Sequence, residues 1–399
     1  MSFSRTDTSR AAEWWFTIDR TLVGVILVLM AVGIVISLAA SPAVALRKGL
    51  PTFHFAERHV LFAIVGSVLM LAVSMLSPGE VRRLALGLLL ASLALMIWVA
   101  LTGLEVNGAK RWVRLGGHSF QPSEMAKPAF VVMTAWLLAK ARRENEQPPL
   151  APPLVVALAL FAALVGLLVI QPDIGQTLLV SLVWGAMFVL SGQPLKWAAG
   201  LGLVGVAGFA AACAAFDHVR SRVKRFIDPS SGDTFQTDRA IQSFTEGGFL
   251  GRGPGEGTIK SVLPDAHTDF IFAVIGEEYG VLACLALLGL FAVVAGRALL
   301  FAASEPDPFL RLAVTGLALL FALQAAINMG VNVGLLPAKG MTLPFISAGG
   351  SSNLAISLTM GMLLALMRRR PDASRVKKPQ LQPTLGRNPS REELAIRGK

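Results

Sequence analysis

An all-α polytopic membrane protein, with about ten transmembrane helices and one large extracytoplasmic loop, is the fold class this 399-residue chain predicts. Its composition is 54% apolar and only 15% charged, with a mean hydropathy of +0.62, far from the soluble norm. Nearly uncharged runs of about 20 residues recur along it, each long enough to cross a hydrocarbon core about 30 Å thick. The polar residues gather into a few clusters between those runs.

Residues 1–20 are polar and form an N-terminal segment. The run at 21–43 is too long for a signal-peptide core and has no convincing cleavage site, so it reads as a signal anchor. Spans follow at 58–77 and 84–103, joined through Arg82-Arg83, and at 124–141, which closes on Lys140–Arg143. Only the polar hairpin Gln171–Gln176 separates the spans 151–170 and 174–192. A span at 197–216 leads into the large loop, 217–268, which at about 50 residues exceeds a simple connection. Within it Asp238–Phe244 is amphipathic, and Gly247, Gly248, Gly251, Gly253, Gly255 and Gly257 follow, a composition that suits a backbone nest for anions. Spans at 269–301, 307–333 and 350–367 complete a membrane domain over 21–367. Between the last two, Pro337, Lys339, Gly340, Pro344, Gly349 and Gly350 predict a re-entrant or broken segment, tolerated at depth only where protein or a water-filled cavity covers it. The tail 368–399 is basic, holds Pro379, Pro383 and Pro389, and is predicted disordered.

An even number of spans puts both termini on one side, and the positive-inside rule makes that side the cytoplasm. The opposite face is basic too, with Arg47, Lys48, Lys110, Arg111, Arg114, Arg239, Lys260 and Lys339 among its cations. Either long loops have translocated regardless of charge, or the outer face binds a phosphorylated, polyanionic substrate. The net charge of +11 does not call for nucleic acid, since much of it lies in the tail, where anionic lipid fits equally well. Cys213 and Cys284 fall inside apolar spans, which argues against a disulfide framework. No dinucleotide fingerprint, Walker loop, zinc spacing, nucleophile elbow or 20–50-residue repeat is present.

Four polar clusters face outward. The first runs from Asn107 through Lys110, Arg111 and Trp112 to Gln121, Ser123, Glu124 and Lys127. Trp112 suits an interfacial anchor, and Pro122-Ser123-Glu124 suits a helix start, whereas Lys127 would lie one turn into the span. The second is Gln171-Pro-Asp-Ile-Gly-Gln176, where Asp173 is either a helix N-cap or a substrate contact. The third joins Lys260 to the triplet His267-Thr268-Asp269, with Glu277 and Glu278 beyond it at intramembrane depth. A charge there costs roughly 2.5–3.5 kcal/mol on insertion scales. Continuous helix from Asp269 would put Glu277 about 12 Å further in. Asp269 is then a working carboxylate or a surface one, and a glutamate is an interhelical strut or part of a site. The fourth holds Asn328, Asn332, Lys339, Ser347, Ser351 and Ser352.

These clusters resemble the blocks of the SEDS family (shape, elongation, division and sporulation proteins). The fourth matches that family's signature at Asn328, Gly334, Leu335-Leu336, Pro337, Gly340, Ser347, Gly349-Gly350 and Ser351-Ser352, and the other three follow in family order over about residues 20–370. Trp14-Trp15 before Ile18-Asp19-Arg20 and the basic tail are more similar to the division member than to the elongation member. Ala348 departs from the tyrosine common in relatives, which leaves local packing and any hydroxyl contact there open. The resemblance implies peptidoglycan glycosyltransfer: lipid II polymerised on the outer face of the cytoplasmic membrane at the division site, with undecaprenyl diphosphate released and inversion at the sugar.

One carboxylate and several cations suffice for that chemistry, a base for the acceptor hydroxyl and positive charge for the leaving diphosphate. Asp269 is the expected base. Lys110, Arg111, Arg239, Lys260 and Lys339 are candidates for diphosphate, and Gln121, Ser123, Lys127, Gln171, Asp173, His267, Thr268, Ser347, Ser351 and Ser352 for other substrate contacts. Glu277, Trp112 and Glu124 are candidates for structural or regulatory roles. A single acidic residue does not establish a metal site, though Mg²⁺ or Mn²⁺ bridging Asp269 and diphosphate is compatible with it. The implied partners are a class B penicillin-binding protein transpeptidase and other division membrane proteins. A lipid II flippase and a non-catalytic division scaffold are the rival readings.

Overall fold

The computed structural model describes residues 9–103, 105, 109–115, 118–144, 152–215, 220, 228, 234–337 and 340–369. A short helix, α1 (Arg10–Thr17), precedes ten long ones at the ten anticipated positions. These are α2 (Arg20–Arg47), α3 (His54–Ser74), α4 (Pro78–Thr102), α5 (Pro122–Glu144), α6 (Pro152–Ile170), α7 (Ile174–Leu190), α8 (Leu195–Ala215), α10 (Ile271–Ser304), α11 (Pro308–Asn332) and α12 (Gly350–Met367). The amphipathic stretch of the large loop forms α9 (Phe235–Gly247). Seven of the long helices, α2, α3, α4, α6, α10, α11 and α12, are long and apolar enough to cross a membrane by length and composition. The count of ten spans is approximate on that measure. The tail beyond Arg369 and Lys339 lie outside the described residues.

The bundle is built around α12 and α11. In its most apolar window α12 is 89% buried and α11 67%, against 28% for α4 and α6, so the first two form the centre and the latter the lipid-facing rim. On the rim, Leu61, Ile64 and Val68 of α3 and Leu90, Trp98 and Leu101 of α4 are exposed, which is what hydrocarbon contact favours. Small residues allow the closest approaches. A Cβ on Gly33 of α2 would meet the Phe345 carbonyl at 2.0 Å, so no larger residue fits there. The segment between α11 and α12 is broken, as anticipated. Met341, Leu343, Phe345, Ile346 and Ser347 are non-helical yet buried in protein, the setting in which irregular backbone survives at depth.

Two local structures were not legible in the sequence. Val113–Leu115 (β1) and His118–Phe120 (β2) form an antiparallel hairpin, with Val113 opposite Phe120 and Arg114 opposite Ser119. The other is a break in α10 at Gly280, whose φ of 77° and ψ of 179° are open essentially to glycine alone. The glycine-rich loop fills this break. Arg252 and Gly253 N–H donate to the carbonyls of Glu277 and Glu278 (2.9 and 3.0 Å), and Val281 and Leu282 N–H donate to Gly248 and Phe249 (3.0 and 3.3 Å). The backbone groups that the break orphans are thereby paired inside the protein.

At the end of the bundle bearing both described termini, Arg368 gathers three elements. Its guanidinium donates to Thr17 Oγ1 (2.9 Å), the Met75 carbonyl (3.0 Å) and Glu13 Oε1 (3.0 Å). Trp14 Nε1 donates to Ser74 Oγ at 2.8 Å beside it, and Arg297 pairs with Asp19 at 2.6 Å.

Candidate active site

At the opposite end of the bundle lies a cavity of about 420 Å³, lined from α3, the β-hairpin, α5, α7, the end of the large loop and the broken segment. Ten of the anticipated residues reach its wall: Arg111, Trp112, Gln121, Glu124, Asp173, His267, Thr268, Asp269, Ser351 and Ser352. Asp269 is not in a helix. It ends a turn that leads into α10, so its spacing to Glu277 is not that of one continuous helix.

The backbone carrying Asp269 is gripped at three successive carbonyls by the α11–α12 region. Ala348 N–H donates to the His267 carbonyl (2.9 Å), and Ser347 Oγ donates to that of Thr268 (2.6 Å). Both Asn328 Nδ2 and Asn332 Nδ2 donate to that of Asp269, each at 2.9 Å. Ser347 thus acts on backbone, and its hydroxyl also accepts Leu343 N–H. Among the described residues no donor reaches the Asp269 carboxylate itself. Gly340 stands against it; a Cβ there would lie 3.3 Å from Oδ2. Burial, and then the like charge of Asp265, push Asp269 up to about 7. His267 beside it is pulled down to about 4, by burial first and then by the Lys48 charge, and its neutral ring packs on Phe55 with centroids 4.2 Å apart.

A second polar network crosses the other wall. Arg111 donates to the carbonyls of Gln171 (Nε, 2.8 Å) and Pro172 and lies 3.6 Å from Asp173. Asp173 accepts Gln176 N–H as the N-cap of α7 and also accepts from Gln121 Nε2 (3.1 Å), so capping and a place in the wall coexist. Burial raises Asp173 and Arg111 opposes the rise. Glu124 accepts from Gln176 Nε2 (2.5 Å) and pairs with Lys127 at 2.9 Å. Lys127 also donates to Gln324 Oε1 (3.1 Å), and Gln324 donates to the Thr342 carbonyl (3.2 Å). Lys127 therefore stands behind the wall, neutralising the glutamate that forms it.

Several anticipated binding residues are engaged elsewhere. Lys260 is buried, paired with Glu278, and donates to the Ala39 and Gly255 carbonyls, so the structure does not present it to a diphosphate. The carboxylate-binding turn lies just after the anticipated glycines, and the chain's own Glu277 fills it, accepting from Thr258, Ile259 and Lys260 N–H at 2.6, 2.7 and 3.0 Å. Gln171 donates to the Met96 carbonyl (2.9 Å). Arg239 bonds Gln242 on its own helix and lies over Phe235. Ser123 is buried without a side-chain partner, and neither it nor Lys110 lines the cavity. Conversely, Arg58 and Asp265 line the cavity and were not singled out. Arg58 is a cation at the head of the second apolar run, where charge beside lipid is costly as it is at Lys127. Removing the Lys260 partner should leave Glu278 as an uncompensated buried charge. Lys260→Met is expected to lower stability by about 3–5 kcal/mol, with Lys260→Met/Glu278→Leu recovering most of it. Thermal unfolding of the purified variants in detergent checks this.

Among the described residues no group of three or more His, Cys, Asp or Glu side chains gathers to hold a metal ion. The donor set does not make up a protein-held Mg²⁺ or Mn²⁺ site, and no step below is routed through one.

The model of the FtsW/RodA/SpoVE family, described as cell cycle proteins, matches residues 19–371. A protein of Caulobacter vibrioides named as a probable peptidoglycan glycosyltransferase FtsW is 46% identical over 373 residues, covering 93% of this chain and 95% of its own. A protein of the same name from Trichlorobacter lovleyi is 36% identical, with 89% and 93% covered. Among solved structures, a chain of a peptidoglycan synthase complex that coordinates polymerization and crosslinking matches with a TM-score of 0.72 at 30% identity, covering 88% of this chain and 97% of that one. The rod shape determining protein RodA of Thermus thermophilus matches with a TM-score of 0.65 at 28% identity and the same coverage.

Proposed function

This chain belongs to the FtsW/RodA/SpoVE family of cell cycle proteins and is a multi-pass membrane peptidoglycan glycosyltransferase, and we propose that it polymerises lipid II in the cavity around Asp269. One observation supports this most directly. A carboxylate held near 7, open to the cavity, shares that cavity with two arginines, Arg58 and Arg111. Asp269 accepts the proton of the acceptor sugar's 4-hydroxyl as that oxygen bonds to the donor's anomeric carbon. The bond from that carbon to the diphosphate oxygen breaks in the same displacement, inverting the carbon, and undecaprenyl diphosphate departs. Arg58 and Arg111 stabilise the charge that develops on it, so no general acid is required. Trp112, at the wall beside Arg111, offers a flat apolar face to a sugar ring.

On this reading the transfer occurs on the outer face of the cytoplasmic membrane, with both termini cytoplasmic and the protein acting at the division septum. The relative from a complex that joins polymerization to crosslinking supports a transpeptidase partner, which we take to be a class B penicillin-binding protein. The test is glycan-strand formation from lipid II by the purified full-length protein with that transpeptidase, followed against pH. Only ionised Asp269 is a base, so kcat should rise with pH, with an acid limb near 7 and a fall of about tenfold per unit well below it. Asp265 holds that limb up, His267 is already neutral there, and the remaining charged groups of the cavity wall are Arg58, Arg111, Glu124 and Asp173. Strands absent at every pH with a competent partner would favour the transport or scaffold reading.

A further inference from the structure

We infer that Asn328 and Asn332 are positioning residues of the transfer reaction, acting on the Asp269 carboxylate through the carbonyl of the same residue. The inference rests on the reading of Asp269 as the base. The two asparagines lie one helical turn apart on α11 and so share a face. A carbonyl oxygen has two lone pairs, and the two amides fill both on the Asp269 carbonyl. Every donor of the pair is used. Asn328 spends its second N–H on the Met341 carbonyl (2.6 Å), and Asn332 spends its own on the Asn328 carbonyl (2.9 Å).

The same pair also starts α10. Phe270 at the N-cap position offers no side-chain hydrogen bond, only its carbonyl, which accepts Ala273 N–H at 3.1 Å. Asn332 Oδ1 accepts Ala273 N–H at 3.0 Å, a cap supplied from another helix. One side chain thereby fixes the residue before the helix and the first turn after it. Asp269 is itself one of the two anchored points, so its carbonyl is held in register with the start of α10. By tying Asp269 to Met341, Asn328 also fixes the carboxylate relative to Gly340, the residue that leaves it room.

Reactive geometry is steep in distance, and a misplacement of about 1 Å can cost about 100-fold in rate. Asn328→Ala and Asn332→Ala should lower kcat for lipid II polymerisation by about 10- to 100-fold while KM changes less than about threefold. A freed Asp269 side chain reaches water, so the acid limb of the pH–kcat profile should move down by about half a unit or more. The serine variants keep one hydroxyl donor and should fall between wild type and alanine; they carry the test if the alanine proteins are not recovered monodisperse. A purely structural role would scale kcat by the folded fraction and leave the limb in place, and that result overturns the inference. Wild-type kcat and limb in the asparagine variants, with Asp269→Asn inactive, overturn it too while leaving the base assignment intact. An Asp269→Asn protein that polymerises normally removes the base reading itself.

Discussion

Asp269→Asn is expected to abolish strand synthesis, lowering kcat by about 10³-fold or more, near the upper part of the range for a lost general base. The amide has the size of the carboxylate and no charge to lose on protonation. The three carbonyl grips on residues 267–269 involve backbone only, so the substitution leaves them in place. Folding is expected to hold or improve, because among the described residues no donor to the half-buried carboxylate is lost when it becomes a neutral amide. Polymerisation of lipid II by the full-length protein with its transpeptidase, read as strand length on a gel, separates the outcomes. Inactive, well-folded protein supports the base. An active one redirects attention to Glu124 and Asp173, carboxylates of the wall that each have a cation beside them.

Glu277→Ala should produce the largest loss of stability short of disrupting the bundle core. Glu277 is fully buried and accepts three consecutive backbone N–H groups of the 258–260 turn. Truncation leaves all three without an acceptor, at about 1–3 kcal/mol each, for a total of roughly 3–6 kcal/mol after partial relaxation. Gly257 is packed so closely that a Cβ there would lie 2.9 Å from Glu277 Oε2, so the turn is fitted around the carboxylate. Glu277→Gln keeps one acceptor oxygen but points an amide at the remaining donors, and an intermediate loss is expected. Melting temperature and the rate of proteolytic nicking between residues 248 and 262 measure both. A Glu277→Ala protein with wild-type melting and nicking would show that the turn holds itself.

The sequence reading and the structure part company along an intelligible line. Ten hydrophobic runs became ten helices because length and apolarity are local properties. The carboxylate in His267-Thr268-Asp269 and the serines of the Gly-Gly-Ser-Ser motif were legible because polar groups are costly beside lipid and so stand out. Pairing was not legible. Lys260 read as a free cation on a loop, yet its partner Glu278 is eighteen residues on, inside the next helix. Gly280 looked like any glycine of an apolar run, since only its φ and the neighbouring loop mark the break. The glycines suggested an anion nest, yet the N–H groups that hold a carboxylate follow them at residues 258–260, and the anion is the chain's own Glu277. Asn328 and Asn332 were recognised as part of a motif without a task, because their target is a carbonyl, and every residue has one.

Arg368 bears on how the chain is made. Its partners Glu13 and Thr17 leave the ribosome first, and Arg368 follows 355 residues after Glu13. Until the last span is inserted, α1 and the turn after α3 have no guanidinium to bind, and the Asp269 carbonyl likewise waits for α11. Both ends of the bundle are therefore closed by residues synthesised late. Contacts this distant in sequence set a slow final step in assembly. A chain truncated before α11 would expose an unfinished site and an untied N-terminus together.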